Sequence, residues 1–305
     1  METVGLAQFT AMFDELKNWG RWGADDQRGT LNLITPAKRV QAAGLVSEGT
    51  VVSAASPLPT RPGPNNFSPA VRAVLIGGDS AGDGFHSAGD LTMVAPHGFA
   101  VSHLDALCHV FWNRQMYNGY PAGEMGATGA NRNAIDEIRD GVVTRGVLLD
   151  IPALDGRRFL RKGETITVEQ LEAAEKRQNV RVEEGDALLV YTGRRRREAA
   201  ESETMLMEGA AGLHLSAMPW IKQRGVALLG SDGVSDVMPS GCEGVILPVH
   251  TLTIVALGLH LLDNLALDAL ADACASRYRW AFQFVVAPLI IERGTGSAVN
   301  PLAIF

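Results

Sequence analysis

APHGFAVSHLDALCHVFW, residues 95–112, decides how this chain is read. It places His97, His103, Asp105 and His109 within thirteen residues of an otherwise apolar segment. A protein core accepts such side chains only when they are paired or bound to something. If Ser102 to Leu107 is extended, residues 103 and 105 project from one face, because strand side chains repeat every two residues. Their Cα atoms then lie roughly 6.5 to 7 Å apart, a span that His and Asp side chains close onto one ion at about 2.0 to 2.2 Å per bond. A turn at Gly98 can bring His97 back to the same point. His109, four residues beyond Asp105, stands close enough to act beside an ion without being bound to it. Cys108 falls in the opposite strand phase and reads as a packing residue.

Neutral imidazoles and a single carboxylate hold a divalent ion without cancelling its charge. The remainder lowers the pKa of a bound water from about 15.7 toward about 7. The resulting hydroxide attacks a carbonyl, while a nearby histidine, ordinarily titrating near about 6.5, takes the proton and returns it to the leaving group. These residue types therefore point to metal-dependent hydrolysis.

Around this segment the chain reads as ordinary globular protein. Its 305 residues, 46% hydrophobic and 20% charged, suffice for a real core. The net charge is -7, and the basic run Arg194 to Arg197 is answered by Glu198, Glu201 and Glu203, as in a solvated surface segment; nucleic acid is not an expected partner. The three cysteines, Cys108, Cys242 and Cys274, form no CxxC pair and suit a reducing compartment. No secretory leader and no stretch of about 18 apolar residues is evident, so the expectation is a soluble, cytoplasmic protein without a membrane span.

Helices are predicted over Leu6 to Lys17, from Pro36 after the Thr35 N-cap, over Thr167 to Arg177 with a Thr167/Gln170 capping box, and over Leu215 to Gln223. A long apolar helix is expected from His250 to about Leu262, and another from about Leu267 to Ser276. Strands are predicted at Thr50 to Leu58, Gly141 to Ile151, Ala187 to Tyr191, Val226 to Leu229 and Trp280 to Ala287. Pro59 to Asp90 reads as a long loop system around one short strand, Val71 to Ile76. With no internal repeat or clean linker, residues 1–305 are expected to form one mixed α/β domain.

HGFAVSHLDALCHVFW resembles the HxGTHxDxPxH signature of the cyclase-like metal hydrolases that include bacterial kynurenine formamidase and isatin hydrolase. The likeness extends from NWGRWGADDQRGTLNL through MYNG, YTGR, GSDGVSD, PVH and HLLDNL to GTGSAVNP. The resemblance makes His103 and Asp105 metal ligands and His109 the catalytic acid/base. The family's first histidine would fall on Phe99, so His97 becomes a ligand only through a two-residue insertion. A second metal would take His250 and Asp263, with aspartate where the family usually has glutamate. The implied fold is a swivelling β/β/α arrangement, usually a homo-oligomer (dimer or tetramer) with Zn or Mn. The implied substrate is a small molecule with a cyclic or aryl amide, lactone or ester carbonyl.

Two other functions stay open at this level. Gly78-Asp79-Ser80-Ala81-Gly82 matches a GxSxG nucleophile elbow, which would make the chain a serine esterase with Asp236 and His260 as partners; the elbow needs a strand before it and a helix after it, and Asp83 to Asp90 is a poor helix. A non-enzymatic, metal-dependent small-molecule binder would use the same ligands with no proton shuttle. His86 in the glycine-rich loop, His214 at a helix start, Trp112 and Ser235 are candidate substrate contacts. Trp112, Tyr117 and Tyr120 could equally fill the core.

Overall fold

The computed structural model describes residues 3–202 and 204–305. Its frame is a nine-stranded mixed sheet in the order Val51–Ser53, Leu302–Ile304, Ala281–Val286, Val142–Asp150, Ala187–Tyr191, Leu228–Ser231, His260–Asp263, His103–Asp105 and Gly296–Ala298. The strands from Val142–Asp150 through His260–Asp263 run parallel, and the flanking ones pair antiparallel. Strands covered on both faces read as continuous apolar runs, and Ala187–Tyr191 (ALLVY) is buried at every position.

The alternation of strand side chains feeds two cores. Leu188, Val190, Leu229 and Leu261 face one core, shared with Phe9 and Phe13 of the helix Leu6–Leu16 and with the helices Val168–Gln178 and Met218–Arg224. Leu189, Tyr191, Leu228 and Leu262 face the other, which includes Leu270 and Cys274 of the helix Asp268–Arg277. The fold is thus a mixed α/β sheet with helices on both faces. Among the described residues no helix is long and apolar enough to cross a membrane.

Local chemistry sets the helix starts. The Thr35 side chain accepts from the Lys38 N–H ahead of Pro36–Ala43, and the Gln170 side chain accepts from the Thr167 N–H at 3.0 Å, completing the capping box. Four expectations are corrected. The apolar run after Pro248 is helical only through the π-helical turn Thr251–Leu257. It stops at Gly258, where a Cβ would enter the Tyr117 ring, and continues as the strand His260–Asp263. A short apolar run does not by itself distinguish buried helix from buried strand. Only Val51–Ser53 of the Thr50 to Leu58 segment pairs, at a sheet edge. Val71–Ile76 is not solitary but folds back on Gly89–Met93 as a hairpin. Finally, Arg194 to Arg197 is not a solvated run: Arg194 and Arg197 are buried, and Arg196 pairs with Asp268 and Asp272.

Candidate metal centre

Strand pairing assembles the site from distant segments. His103 lies directly across from Asp263, and Asp105 across from Gly296, in antiparallel register. Opposed residues share a face, so His103, Asp105 and Asp263 converge. His103 and Asp105 face the site while Leu104, Ala106 and Cys108 fill the core beneath it. Burial pushes the Cys108 thiol up to about 12, as befits a packing residue. Gly98, at φ 118, turns the chain so that His97 folds back over the strand.

Asp105 is the centre of the arrangement. Its Oδ1 lies 2.9 Å from His97 Nδ1 and 3.3 Å from His103 Nε2, and its Oδ2 lies 3.9 Å from His250 Nε2. His250 Nε2 is in turn 3.1 Å from Asp263 Oδ2. Asp105 is 0% exposed, yet neither of its oxygens makes a hydrogen bond, and the close approach of His97 Nδ1 is not oriented as one. Burying a carboxylate without such partners costs several kcal/mol unless opposite charge sits beside it. Nitrogen and oxygen lone pairs directed at a common point provide a seat for that charge. Two overlapping groups can supply ligand atoms to an ion: His97, Asp105 and His109, and His103, Asp105 and Asp263.

Each imidazole facing Asp105 is held from behind. His97 Nε2 meets Thr295 Oγ1 at 2.9 Å, and His103 Nδ1 donates to the Val101 carbonyl at 2.8 Å. His250 Nδ1 donates to Asp236 Oδ2 at 2.6 Å. Such outer contacts select the ring tautomer and aim the opposite nitrogen at the ion. Asp236 also accepts from the N–H groups of Val249 and His250, and Ser235 Oγ donates to Asp263 Oδ1 at 2.9 Å. The loop carrying His97 is pinned as well. Asn264 Nδ2 donates to the Gly98 carbonyl, Arg194 Nη2 donates to the Phe99 carbonyl, and Arg194 and Asn264 bond to each other. Phe99 itself packs on Leu206, Val234 and Met238.

The charges follow from this crowding. Burial would raise Asp105, but His103 and then His97 outweigh it and hold the carboxyl well below its ordinary range. Burial would lower His103 and His250. Asp105 keeps the first above its usual value, and Asp263 with Asp236 keeps the second well above it. His109 differs: it stacks on the His97 ring at 3.6 Å with planes 2° apart. Burial, with only Asp105 opposing and the other imidazoles adding to it, pushes His109 down to about 4. It is therefore a neutral base near pH 7.

The remaining candidates are dispersed. Trp112 packs edge-on against Phe9 at 5.0 Å, and Tyr117 is buried with its hydroxyl on Asp26. His214 caps the turn Leu215–Ala217 and bonds Ser216. His86 lies exposed near the tip of the hairpin, where it accepts from the Gly82 N–H. Of the esterase set, Asp236 is committed to His250, and His260 is buried and pushed down to about 3. The short 3-10 turn Gly78–Ser80 leads to a returning strand rather than a helix; the side chain of Ser80 lies outside the described residues. Asp236 as an orienting residue, Thr295, Arg194 and Asn264 are contributors that the sequence reading missed. All four lie within stretches quoted above, GSDGVSD, GTGSAVNP, YTGR and HLLDNL, but nothing in those stretches states what they touch.

The Cyclase family profile matches residues 46–236. None of the curated proteins matches the chain significantly. A solved structure described as a novel cyclase is 29% identical, with a TM-score of 0.86 over 95% of this chain and 99% of that one. Isatin hydrolase A from Ralstonia solanacearum is 23% identical, with a TM-score of 0.60 over 86% of this chain and 93% of that one. An isatin hydrolase bound to the product analogue thioisatinate is 19% identical, with a TM-score of 0.57 over 88% and 94%. The two isatin hydrolases share the fold.

Proposed function

The chain belongs to the Cyclase family, and on that footing we propose that it is a divalent-metal-dependent hydrolase of a cyclic or aryl amide, lactone or ester carbonyl. The observation that carries this reading is the fully buried Asp105 carboxylate, which faces three imidazole nitrogens at 2.9 to 3.9 Å with neither oxygen in an oriented hydrogen bond among the described residues. His97, His103 and Asp105 would hold one ion, Zn or Mn, and Asp105 with His250 and Asp263 a second. An ion bound there supplies a Lewis-acid charge that polarises the carbonyl and makes water acidic enough to attack it.

The chain's own residues do the rest. His109, stacked on a ligand and neutral, accepts a proton on a ring nitrogen and returns it to the departing amine or alkoxide. The cavity of about 100 Å³ beside His97, lined by Asn65, Phe67, Phe99 and Val101 among others, offers a berth of mixed polar and apolar character next to that histidine. Asp236 and Ser235 keep His250 and Asp263 in place during the proton transfer. Hydrolysis by isatin hydrolase relatives makes isatin, N-formylaniline and an aryl lactone the first probes to try.

The His109→Ala variant tests the assignment. It should keep its metal and its substrate affinity while kcat falls by about 10²- to 10⁴-fold. Loss of the metal would instead make His109 a ligand, as its place in a ligand-capable group with His97 and Asp105 allows. Turnover within a few-fold of wild type, with metal retained, would remove the acid/base role and leave solvent as the proton acceptor.

A further inference from the structure

The helix Arg194–Glu201 opens with four arginines, and two of them are buried, Arg194 at 8% exposure and Arg197 at 3%. Arg194 is fully engaged: Nε donates to Glu198 Oε1, Nη1 to Asn264 Oδ1 and Nη2 to the Phe99 carbonyl, at 2.7 to 2.9 Å. Arg197 is not. Among the described residues its guanidinium has no carboxylate within ion-pair distance and no hydrogen-bond acceptor, although Arg194 and Arg196 on the same helix have both. The nearby carboxylates are directed elsewhere. Glu198 is taken by Arg194, and Asp232 accepts the N–H groups of Thr192, Gly193 and Arg194 together with the Thr192 hydroxyl. Burial accordingly presses the Arg197 guanidinium below its ordinary range, and the pull of Glu198, Glu201 and Asp232 offsets this only in part.

Arginine does not shed its proton in proteins. Arg197 therefore brings a full charge into the interior, a cost that an opposite charge removes. It lines a small cavity of about 10 Å³, shared with Arg194, Thr192, Gly233, Leu160 and Leu206. That volume is about one water-sized sphere. Phosphate, sulfate and carboxylate groups, each with several heavy atoms, do not fit; a single atom does. A water would accept the guanidinium N–H groups and leave their charge uncancelled, whereas a monatomic anion meets both needs through charge-assisted hydrogen bonds. The Thr192 hydroxyl is committed to Asp232, so Arg197 is the one polar side chain of the wall without a partner among the described residues.

We propose that this cavity is a binding site for one monatomic anion of the chloride class, held by the Arg197 guanidinium beside Arg194, and that the bound anion braces the loop carrying His97. The cavity stands behind that loop. Arg194 holds the Phe99 carbonyl, and Phe99 packs on the cluster of Leu206, a residue of the cavity wall. Residues three apart on a helix are neighbours on its surface, so an anion at Arg197 steadies Arg194 as well, and through Arg194 the segment from Gly98 to Val101 that Asn264 also pins. Chloride then tightens metal binding, and bound metal tightens chloride binding by the same factor. This coupling rests on the reading of His97 as a metal ligand; the anion site does not.

Anomalous diffraction from wild-type crystals grown in sodium bromide locates the site, and melts of wild type and Arg197→Met, with chloride replacing gluconate at constant ionic strength, measure its effect. The expected result is a bromide peak in contact with Arg197, and a wild-type Tm that rises by about 5 to 10 °C at 100 times the chloride Kd. Arg197→Met should ignore the exchange and, in gluconate, melt no lower than wild type, since it loses an uncompensated charge. Metal titrations should show a wild-type Kd about 10-fold weaker in gluconate, the low end of the scale for a lost outer contact, and no such ratio in Arg197→Met; chloride bound to the metal itself would shift both proteins alike. No bromide at Arg197, or the same chloride response in both proteins, would overturn the proposal and make the occupant a water. A bromide peak without a wild-type Tm shift would mean an adventitious ion only and overturn it too, as would an Arg197→Met that melts far below wild type in gluconate, which would make the guanidinium a structural donor. A chloride-dependent Tm with equal metal affinity in both salts would uphold the anion site and remove its coupling to His97.

Discussion

Replacing Asp105 by asparagine keeps the shape of the side chain and removes its charge. Because Asp105 belongs to both ligand-capable groups, one substitution weakens every ion the site could hold. Structural zinc sites bind with about 10 to 16 kcal/mol. Shared over four ligands, that is about 2.5 to 4 kcal/mol each, or two to three decades in affinity. The same loss appears in stability. A wild type held at about 1,000 times its metal Kd gains about 4 kcal/mol from the ion, which at roughly 2 to 4 °C per kcal/mol raises Tm by about 8 to 16 °C over the chelated protein. Asp105→Asn at the same metal concentration should show little of that gap. Competition titration against a fluorescent chelator gives the affinity, elemental analysis the stoichiometry, and melts with and without EDTA the linkage. If the variant binds stoichiometric metal within about threefold of the wild-type affinity, the ligands lie elsewhere and the meaning assigned to the buried carboxylate is wrong.

Two further outcomes follow from the supports of the site. A Cβ at Gly296 would lie 2.7 Å from His97 Cε1 and 2.7 Å from the Leu104 carbonyl. Gly296→Ala should therefore push the imidazole off its aim and lower metal affinity by about 10- to 100-fold, the scale of a lost outer contact; metal titration of the folded variant checks it. Asp232 accepts the N–H groups of Thr192, Gly193 and Arg194 and the Thr192 hydroxyl at 2.8 to 3.0 Å. Each buried donor left unpaired costs about 1 to 3 kcal/mol, so Asp232→Ala should lose more than about 3 kcal/mol in urea unfolding without a change in the denaturant slope, and weaken metal binding too as Arg194 releases the His97 loop.

The spacing of His103 and Asp105 determined their common face before any tertiary contact was known, since the period of a strand is a local property. The glycine at 98 likewise permitted the return of His97, and the apolar even positions 104, 106 and 108 marked the face that packs. The same locality limited what could be read. The run from His250 to Leu262 is apolar throughout, so its division at Gly258 into π-helical turn and strand came from the Tyr117 ring, more than a hundred residues away in sequence. Arg194 to Arg197 looks solvated by composition, but in the fold Arg194 and Arg197 are buried, Arg194 against Asn264, and Arg196 pairs with Asp268 and Asp272. Opposition of Asp263 to His103 and of Gly296 to Asp105 exists only through sheet register. Asp236 behind His250 and Thr295 behind His97 are known only from contact. Ligand identity is a matter of residue type and short spacing, which a chain displays along its length; the aim of each ligand depends on partners brought from far along the chain, and only the folded sheet chooses those.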